Sequence, residues 1–558
     1  MRRHAAAALR GNLASQIIVV CPQSACETAR SGNRTIPRII RQRTANIIFV
    51  IATILCVAGV LMRSQAASTW ISFGPDGKLV YQKTPNGDRI IDFSYAGYMG
   101  GGVELPLVPE VRRVTPTGGD DTAAVQQAVD SVSTGSLNHG FRGAVVLGPG
   151  TFHCTAPIRI KVGGVVLRGS GSGDGGTEID LTGQPHVGIS VAGTSIVTPE
   201  GQWATLSAPY VPAGSRTIEV TDGSRILATD TVQISKPVTD AWLEFMGMDK
   251  LERDGKPEHW VSGSLKTERF VTAVTGNRIT LDVLLADNYD SKFAGPEGFR
   301  VVKVTDSGRI DQVGIEHLRI VAPTVRVKLG DPEYDGIDVA EAQDSWLQDV
   351  SVVDAINAVK VGKGTRRMTV ERVDVLNHVS VLGSALPFQF LVGGSQILID
   401  RCSGSGDRTW YFATDGREQG PNVMLNSTFK GNGHVQPHQR WSTGLLIDGC
   451  SVPNGGIDLM NRGEMGTGHG WTIGWAVVWN CEAKSFVLQQ PPGSMNWGIG
   501  NIGEEFLQPM PTFPPVPNLP ELPQATIESP GQHVRPRSLY LAQLRERLGG
   551  PAVRKIGF

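Results

Sequence analysis

Side chains suited to binding a charged sugar are concentrated between residues 433 and 497. An arginine guanidinium binds a carboxylate through two parallel hydrogen bonds, and an indole ring packs flat against an apolar ring face. The combination therefore favours a site for a sugar ring that carries a carboxylate. The stretch holds three histidines, two arginines and five tryptophans: His434, His438, Arg440, Trp441, Arg462, His469, Trp471, Trp475, Trp479 and Trp497.

The first reaction that such a site supports is β-elimination in a uronate polysaccharide. The enzyme must neutralise the sugar carboxylate, remove the weakly acidic C5 proton with a base and give a proton to the leaving oxygen. Arg440 or Arg462 suits the carboxylate, and His438 or His469 suits the proton. A lysine, a tyrosine or an arginine stays an alternative base. We place a lyase first for these reasons.

The segment PHQRW at residues 437–441 indicates how two of these residues could act together. If it is extended, His438 and Arg440 share one face of the strand and Trp441 lies on the other. An inward Trp441 then directs both polar side chains toward a substrate. Trp441 and Trp471 are also our candidates for stacking on the sugar ring.

Glycoside hydrolysis is the second reading, and it requires two carboxyl groups about 5 to 9.5 Å apart. Asp335 and Asp338 point to opposite faces of a strand, so they are a poor pair. Asp415 and Glu464, on neighbouring coils, are a better one and are otherwise candidate substrate-binding residues. In a third reading, the same side chains only bind carbohydrate and catalyse nothing.

A repeated segment predicts the scaffold that holds this site. The chain is rich in glycine, with 68 residues, and short apolar stretches alternate with turn signals. Six segments share one pattern, and their equivalent positions lie 23 to 31 residues apart. Such a repeat is typical of stacked coils whose surplus residues form loops on one side, where function usually lies. These positions are Val350, Val373, Cys402, Ser427, Cys450 and Cys481.

Two segments near the start of the repeats carry a resemblance to a known family. GGDDTAAVQQAVD at 118–130 and VVLGPGTFHCTAPIRIKVGGVVLRGSG at 145–171 resemble the opening of pectate-lyase-like superfamily proteins. The resemblance covers roughly 90–505 apart from an insert, and the polar segments around His469 look like those of exported bacterial members. It implies an all-β, right-handed parallel β-helix with an N-terminal capping helix.

The resemblance fixes the fold better than the reaction, because this solenoid supports many activities. Many relatives hold calcium with three or four carboxylates, and no matching acidic cluster is found here. We therefore expect no metal cofactor, with Ca²⁺ as the alternative. The hydrolase relatives imply an Asp-Asp pair, a Gly-His-Gly element and an Arg-x-Lys element, of which this chain matches only the Gly-His-Gly, at residues 468–470.

Composition changes along the chain predict five regions. Residues 1–66 are an N-terminal extension with a signal peptide or anchor, and 67–193 are the cap and the first coils. Residues 194–300 are an inserted β subdomain, which either packs as a structural lid or directs Trp242 or Trp260 into the site. Residues 301–505 are the main β-helix, and 506–558 are a Pro-rich linker and a C-terminal helix from Ser538 to Gly549.

The apolar run from 47 to 62, preceded by arginines, is typical of an export signal, with a transmembrane helix as the alternative. We therefore expect a periplasmic, extracellular or cell-surface protein whose only membrane contact is this segment. The net charge of −1 gives no indication of nucleic-acid binding. The expected partner is an acidic polysaccharide, and the expected state is a monomer.

Overall fold

The computed structural model describes residues 66–382, 386–507 and 522–558. Within these ranges most of the chain is β-strand, and almost all strands of the main body pair in parallel. The protein is an all-β, right-handed parallel β-helix with a capping helix, an inserted β subdomain and a C-terminal helix.

A 14-stranded parallel sheet in the described part of the chain contains one strand from each coil, except that two coils each contribute two short strands, at 310–316 and at 473–479. Its register pairs Gln348 with Glu371, Glu371 with Asp400 and Asp400 with Leu425. These offsets reproduce the predicted spacing of the repeats, so the predicted coil positions are confirmed. The strands are Glu110–Val114, Gly143–Leu147, Val165–Arg168, Ile310–Asp311, Gly314–Glu316, Ala342–Gln348, Arg366–Glu371, Ser395–Asp400, Gln419–Leu425, Ser442–Asp448, Ile473–Gly474, Ala476–Trp479, Asn496–Ile499 and Thr526–Glu528.

The remaining coil strands that the structure describes form a 17-stranded sheet with two ladders, which merge at Ser451–Leu459. The first ladder follows directly after each strand of the 14-stranded sheet. Its strands are Gly150–Cys154, Thr177–Leu181, Arg319–Val321, Ser351–Val353, Asp374–Leu376, Ser403–Ser405, Thr428–Lys430, Ser451–Leu459, Glu482–Leu488 and Ile502–Phe506. The second contains Ile158–Ile160, Val187–Ala192, Asp335–Ala340, Asn357–Val361, Phe388–Val392, Trp410–Thr414 and His434–Val435.

A single residue with left-handed backbone makes each short turn from the 14-stranded sheet into the first ladder. Its φ angle lies between 45° and 72° in successive coils. Asparagine and glycine tolerate this conformation well, whereas it is uncommon for arginine. The turn residues are His317, Asp349, Arg372, Arg401, Asn426, Gly449, Asn480 and Gly500. Because each of these turns has the same conformation, the first ladder starts in the same direction in successive coils.

Apolar side chains from all three ladders fill the interior of the solenoid. Cys402, Cys450 and Cys481 occupy the equivalent inward positions as buried free thiols. Helix Thr122–Ser133 covers one end of this core, with Val125, Val129 and Val132 buried against it. The helix therefore acts as the predicted cap.

The insert is a small antiparallel barrel with its own core. The six strands run from residue 196 to 307, seven residues beyond the predicted end. A bridge between Leu206 and Val220 joins the two edges of the sheet. In sheet order, the strands are Ile196–Thr205, Arg300–Ser307, Thr231–Pro237, Ser264–Thr275, Arg278–Leu281 and Thr217–Glu219.

A long excursion of the insert, residues 238–263, packs against the solenoid. Trp242 and Trp260 are 3% and 1% exposed, and their rings stack with centroids 5.0 Å apart. This burial favours the structural reading of the insert over indoles directed into a site.

Segments from both ends of the described chain cover the outer face of the 14-stranded sheet. Helix Leu539–Leu548 begins at Ser538, whose side chain accepts from the Leu541 amide, and ends at Gly549, as predicted. Asp448 lies beneath the helix start and accepts hydrogen bonds from the Ser538 hydroxyl, at 2.7 Å, and the Tyr540 amide, at 2.9 Å. Arg401 donates to the carbonyl of Ile556 at 2.8 Å.

Shorter elements complete the described structure. The two-stranded pairs are Ala66–Ala67 with Val534–Arg535, Ile71–Phe73 with Leu79–Tyr81, Tyr210–Val211 with Tyr289–Asp290, Glu252–Arg253 with Lys256–Pro257, and Arg326–Lys328 with Ser380–Leu382. The short helices and 3₁₀ turns are Tyr98–Gly100, Asp240–Phe245, Ser291–Phe293, Met465–Gly468 and Gly550–Lys555.

The expectation of a transmembrane helix is corrected. None of the helices within 66–382, 386–507 and 522–558 is long and apolar enough to cross a bilayer. That expectation was based on the apolar run at 47–62. This run, like all of residues 1–65, lies outside the described residues.

The buried Asp448 should make folding stability depend on pH. Burial raises its pKa from 3.8 to about 7, and burial has the same effect on Asp400. A carboxyl that binds its proton more tightly when folded stabilises the protein fully below pH 4, and that contribution is lost as the pH rises through 7. Asp448→Asn keeps an acceptor for Ser538 and Tyr540 and should remove part of this loss. Urea unfolding at several pH values measures it.

The exposed Asp174 supplies the control, because Asp174→Asn removes the same charge from the surface. An Asp448→Asn variant whose stability falls from pH 4 to pH 7 as steeply as that of the control would contradict the assignment.

Candidate functional site

Loops of successive coils meet where the second ladder leads back to the 14-stranded sheet. They comprise residues 415–418, 436–441 and 460–472, and the last is the longest of the three. Backbone hydrogen bonds join them, from Arg417 N to Arg440 O and from Arg440 N to His469 O, both at 3.0 Å. The site residues of different coils therefore have fixed relative positions.

Residues 436–441 bend and are not a strand, so the condition under which strand alternation would apply to PHQRW is not met. Arg440 and Trp441 both have left-handed backbone, with φ of 55° and 56°. Two such residues in succession reverse the chain, so strand alternation does not apply. His438 and Arg440 still reach the same neighbouring loop, because the turn folds them toward residues 460–472.

Glycines shape the 460–472 loop around His469. The loop is closed by hydrogen bonds from Arg462 N to Gly470 O, at 2.8 Å, and from Gly470 N to Gly463 O, at 2.9 Å. Gly466 has φ of 61°, and a Cβ atom there would lie 2.1 Å from His469 Nε2. A Cβ atom at Gly470 would lie 2.3 Å from the Trp260 ring. The two glycines thus make room for the imidazole and for the insert.

The structure brings the two predicted histidines into contact. The His438 and His469 rings pack edge to face with centroids 4.7 Å apart, and Phe388 lies 5.5 Å from the His438 ring. His438 is half-buried, and His469 is 9% exposed. The Nδ1 atom of His469 is buried without a hydrogen-bond partner in the described protein.

Both predicted arginines border this imidazole pair. Arg462 is 4% exposed and donates from Nη1 to the His438 carbonyl at 2.9 Å, while its guanidinium lies 5.1 Å from the Trp410 ring centroid. Its Nε atom is buried without a protein partner within the described residues. Arg440 donates from Nη2 to the Thr467 hydroxyl at 2.6 Å.

Burial and positive charge keep both imidazoles neutral. Desolvation lowers the pKa of His438 to about 3, with help from Arg462 and Arg440. Desolvation lowers the pKa of His469 to about 2, and Arg462, His438, Arg440 and Arg253 add to the effect. Desolvation also lowers the pKa of Arg462 to about 10, although Asp458 opposes the shift. At neutral pH the site thus has net positive charge and two neutral bases.

Trp441 and Trp471 lie in the interface with the insert. Each is 2% exposed. The Trp441 indole donates to Asp287 at 3.2 Å, and the Trp471 indole donates to the Met246 carbonyl at 3.2 Å. In this position the rings hold the insert against the loops. A substrate-stacking role for them stays a sequence prediction without support from this packing.

Asp415 and Glu464 are not brought together by any hydrogen bond or ion pair among the described residues. Asp415 is half-buried and lies 4.0 Å from the Lys363 ammonium, whereas Glu464 is exposed at the start of the short helix Met465–Gly468. Their predicted roles remain untested.

Sequence reasoning missed the acidic partner of the site, Asp458. It is 2% exposed and binds His434 Nδ1 at 2.6 Å and the Gln436 amide at 2.7 Å. A spacing of 24 residues connects His434 to Asp458 and His438 to Arg462. This offset between neighbouring coils was the signal in the sequence that could have revealed the cluster.

The insert supplies one further charge that the sequence did not indicate. Arg253 donates to the carbonyl of Gly466 and thereby reaches the His469 loop. Within the described residues, no group of three or more His, Cys, Asp or Glu side chains is arranged to hold a metal ion.

Replacing Gly466 should displace His469. The Cβ atom of Gly466→Ala would overlap the imidazole, and the left-handed backbone adds strain. We expect His469 to become exposed and to react severalfold faster with diethyl pyrocarbonate, as measured by mass spectrometry of the modified peptide. Gly531→Ala is the control, since Gly531 has φ of 76° but no atom within 4 Å of its Cβ position. Equal His469 reactivity in the two variants would contradict this account of the loop.

No family model matches the chain, and no curated protein matches its sequence. Among solved structures, the tailspike protein gp49 from Pseudomonas phage LKA1 is 16% identical, with a TM-score of 0.38 over 69% of this chain and 69% of that one. The gp54 tailspike of Acinetobacter baumannii bacteriophage AP22, in complex with capsular saccharide, is 11% identical, with a TM-score of 0.28 over 73% and 71%. The tailspike protein of E. coli bacteriophage HK620, in complex with pentasaccharide, is 11% identical, with a TM-score of 0.37 over 71% and 55%. The fold of this chain is given by its own strand register, and its function has to be inferred from its own side chains.

Proposed function

We propose that the protein is a polysaccharide lyase that cleaves a uronate-containing, pectin-like polymer by β-elimination. The observation that carries the proposal is one cluster in which two neutral imidazoles adjoin two arginines, with His469 and Arg462 buried and His438 and Arg440 partly exposed. His469 Nδ1 and Arg462 Nε, both without a protein partner in the described chain, belong to this cluster. A buried polar group without a partner costs about 1 to 3 kcal/mol, so a ligand that pairs with both gains affinity.

The arginines suit the carboxylate of the substrate. Arg462 has a preorganised guanidinium, because Trp410 and the His438 carbonyl hold it in place. Arg440 is more exposed, and Thr467 holds its guanidinium at the loop surface. Neutralising the carboxylate makes the C5 proton easier to remove, since the developing negative charge spreads onto that group.

A neutral imidazole supplies the base. We assign this role to His469, with His438 as the neighbour that packs against it. His469 takes the C5 proton, the C5–H electron pair forms the C4=C5 double bond, and the bond from C4 to the glycosidic oxygen breaks. The resulting imidazolium returns its proton to the leaving oxygen, so the base is regenerated without another reagent.

Substrate binding itself activates this base. Burial lowers the pKa of His469 in the free protein, and the charges of the arginines lower it further. A bound carboxylate offsets these charges and raises the proton affinity of the imidazole when the C5 proton is presented. We propose that this neutralisation needs no metal ion, and that Ca²⁺ is not a cofactor.

We propose that the protein is exported, belongs to an exported branch of pectate-lyase-like proteins and acts on an acidic polysaccharide.

Hydrolysis by Asp415 and Glu464 has less support, because Asp415 lies beside Lys363 and Glu464 is exposed. Binding without catalysis is the outcome if no substrate is cleaved.

Removing the base or the carboxylate partner should abolish cleavage and leave the fold intact. We expect His469→Ala and Arg440→Ala each to lower turnover at least about a hundredfold, in the range for loss of a general base or a charge-stabilising group. The assay follows the ultraviolet absorbance of the unsaturated uronate during incubation with polygalacturonate or alginate, with calcium or with a chelator.

His259→Ala is a matched control, since this exposed histidine lies within the excursion of the insert and has no part in the proposed chemistry. Either site variant with full turnover would remove that residue from the mechanism. New reducing ends without absorbance would indicate a hydrolase, and dependence on calcium would contradict the metal-free proposal.

The low pKa values of the histidines predict an unusual pH profile. His469 and His438 act as bases only when neutral, so kcat/KM should not fall at the ordinary imidazole pKa of 6.5. It should stay level from about pH 5 to about 8 and decrease on the alkaline side as Arg462 loses its proton near pH 10. Initial rates at low substrate concentration measure the profile, with circular dichroism as the check on folding. An acid limb between pH 6 and 7 would contradict the assignment.

A further inference from the structure

One tryptophan stands apart from the others. All eleven tryptophans of the chain lie within the described residues, and ten of them are buried or partly buried. Trp203, on the barrel of the insert, is 53% exposed. Burying a large aromatic ring is strongly favourable, so the exposure of Trp203 sets it apart from the other ten indoles, and its surroundings decide whether it has a use.

A bulge in the barrel holds Trp203 outward. In the pair of strands Ile196–Thr205 and Arg300–Ser307, Glu200 pairs with Lys303 and Ala204 pairs with Val301. Three residues, 201–203, therefore oppose the single residue Val302. A bulge of this kind bends the strand and redirects a side chain, and bulges often lie at functional sites. Ala204, the next residue, returns to the interior and is 7% exposed.

The orientation of the Trp203 ring is fixed by a cation. The guanidinium carbon of Arg300 lies 4.3 Å from the centroid of the indole ring, and Arg300 forms an ion pair with Glu297. One ring face is thus supported by the protein. A ring held in this way loses little conformational freedom when a ligand packs on its exposed part.

A cleft of about 220 Å³ lies beside the ring. Lys303 lines it, with its ammonium held 3.0 Å from Asp230 and 3.7 Å from Glu200. Arg225 and Gln202 are exposed at the cleft. The polar side chains that line the cleft together with Trp203 are Glu200, Gln202, Asp222, Arg225 and Lys303.

We infer that this cleft is a second carbohydrate-binding site, for a pyranose unit of an acidic polysaccharide. The flat indole suits the apolar face of a pyranose ring, and amide, carboxylate and guanidinium groups suit its hydroxyls. Arg225 is exposed at the cleft and can bind a sugar carboxylate, whereas the Lys303 ammonium is already held by Asp230 and Glu200. The volume of the cleft fits a single sugar unit, so affinity for a long chain arises from many neighbouring units.

The inferred site is separate from the His469 cluster. It lies on the barrel strands, whereas the insert reaches the loops through Trp260 and Arg253 of its excursion. The barrel therefore acts as a module that holds the polymer while the solenoid loops act on it. The inference shares the class of polymer with the proposed function, but its test does not depend on cleavage.

Binding of polygalacturonate and alginate is measured by isothermal titration with the full chain carrying His469→Ala, with dextran as the neutral comparison. In that background, Trp203→Ala should weaken binding to the acidic polymer at least about tenfold, and Trp203→Tyr should restore part of it. Phe270→Ala is the matched control, because Phe270 is a 39% exposed aromatic residue on the same barrel that does not line the cleft.

Fluorescence provides an independent measurement, since Trp203 is the indole that acrylamide reaches most easily. In the chain that carries only His469→Ala, bound polysaccharide should reduce the quenching of tryptophan fluorescence by acrylamide. This protection should be absent when Trp203→Tyr is added. Unchanged affinity of Trp203→Ala relative to Phe270→Ala would overturn the inference, as would the absence of binding to both acidic polymers. Weaker binding by Trp203→Ala in the His469→Ala background would support the inference. In the protein with His469 intact, Trp203→Ala should leave the cleavage of short uronate oligosaccharides unchanged.

Discussion

The hydrogen-bonded register between parallel strands is the constraint on which this structure depends. Every residue of a coil strand is paired with one residue of the coil before it, so a side chain has no freedom to move along the solenoid axis. Glu371, Asp400 and Leu425 are aligned for this reason although unequal lengths of chain separate them. Residues that exceed the length of a coil form loops between strands. Because the strands are aligned, the loops at residues 436–441 and 460–472 begin and end next to each other. A rigid backbone thus places groups from different coils within contact distance.

Burial of charge is the second constraint, and it acts against stability. Moving a guanidinium out of water costs several kcal/mol, and an attractive partner returns only part of that energy. Arg462 has Asp458 nearby, the Trp410 ring below it and one carbonyl as acceptor, yet its Nε atom stays without a protein partner. The imidazoles respond to the same field by remaining neutral. A cluster that is electrostatically incomplete in the free protein is suited to an anionic ligand, because the ligand removes the imbalance.

The sequence predicted those features that depend on periodicity or on residue type. The coil positions from Val350 to Cys481 followed from the repeat, and the helix from Ser538 to Gly549 followed from its cap and its apolar face. The association of His438, Arg440, Arg462 and His469 followed from their chemistry and their density in the chain. None of these predictions required knowledge of how distant segments pack.

The features that sequence reasoning did not foresee have a common physical origin in long-range packing. Trp441 and Trp471 have the same residue type as a sugar-stacking indole, and only the position of the insert shows that both are covered. The turn at Arg440 and Trp441 depends on left-handed backbone that bulky residues rarely adopt, so local propensity favoured a strand. The exposure of Trp203 depends on the pairing of strand 196–205 with strand 300–307, which the residues around it in the sequence do not reveal.

The insert connects these observations, because its two faces have opposite roles. Its excursion buries Trp242 and Trp260 against Trp441, which fixes the loops of the solenoid, and its barrel leaves Trp203 exposed. The bulge at residues 201–203 directs Trp203 away from the interior of the barrel, as bulges at barrel rims and near functional sites often do. The outer surface of the barrel is thus free for the inferred binding role, while the excursion supports the loop that carries His469.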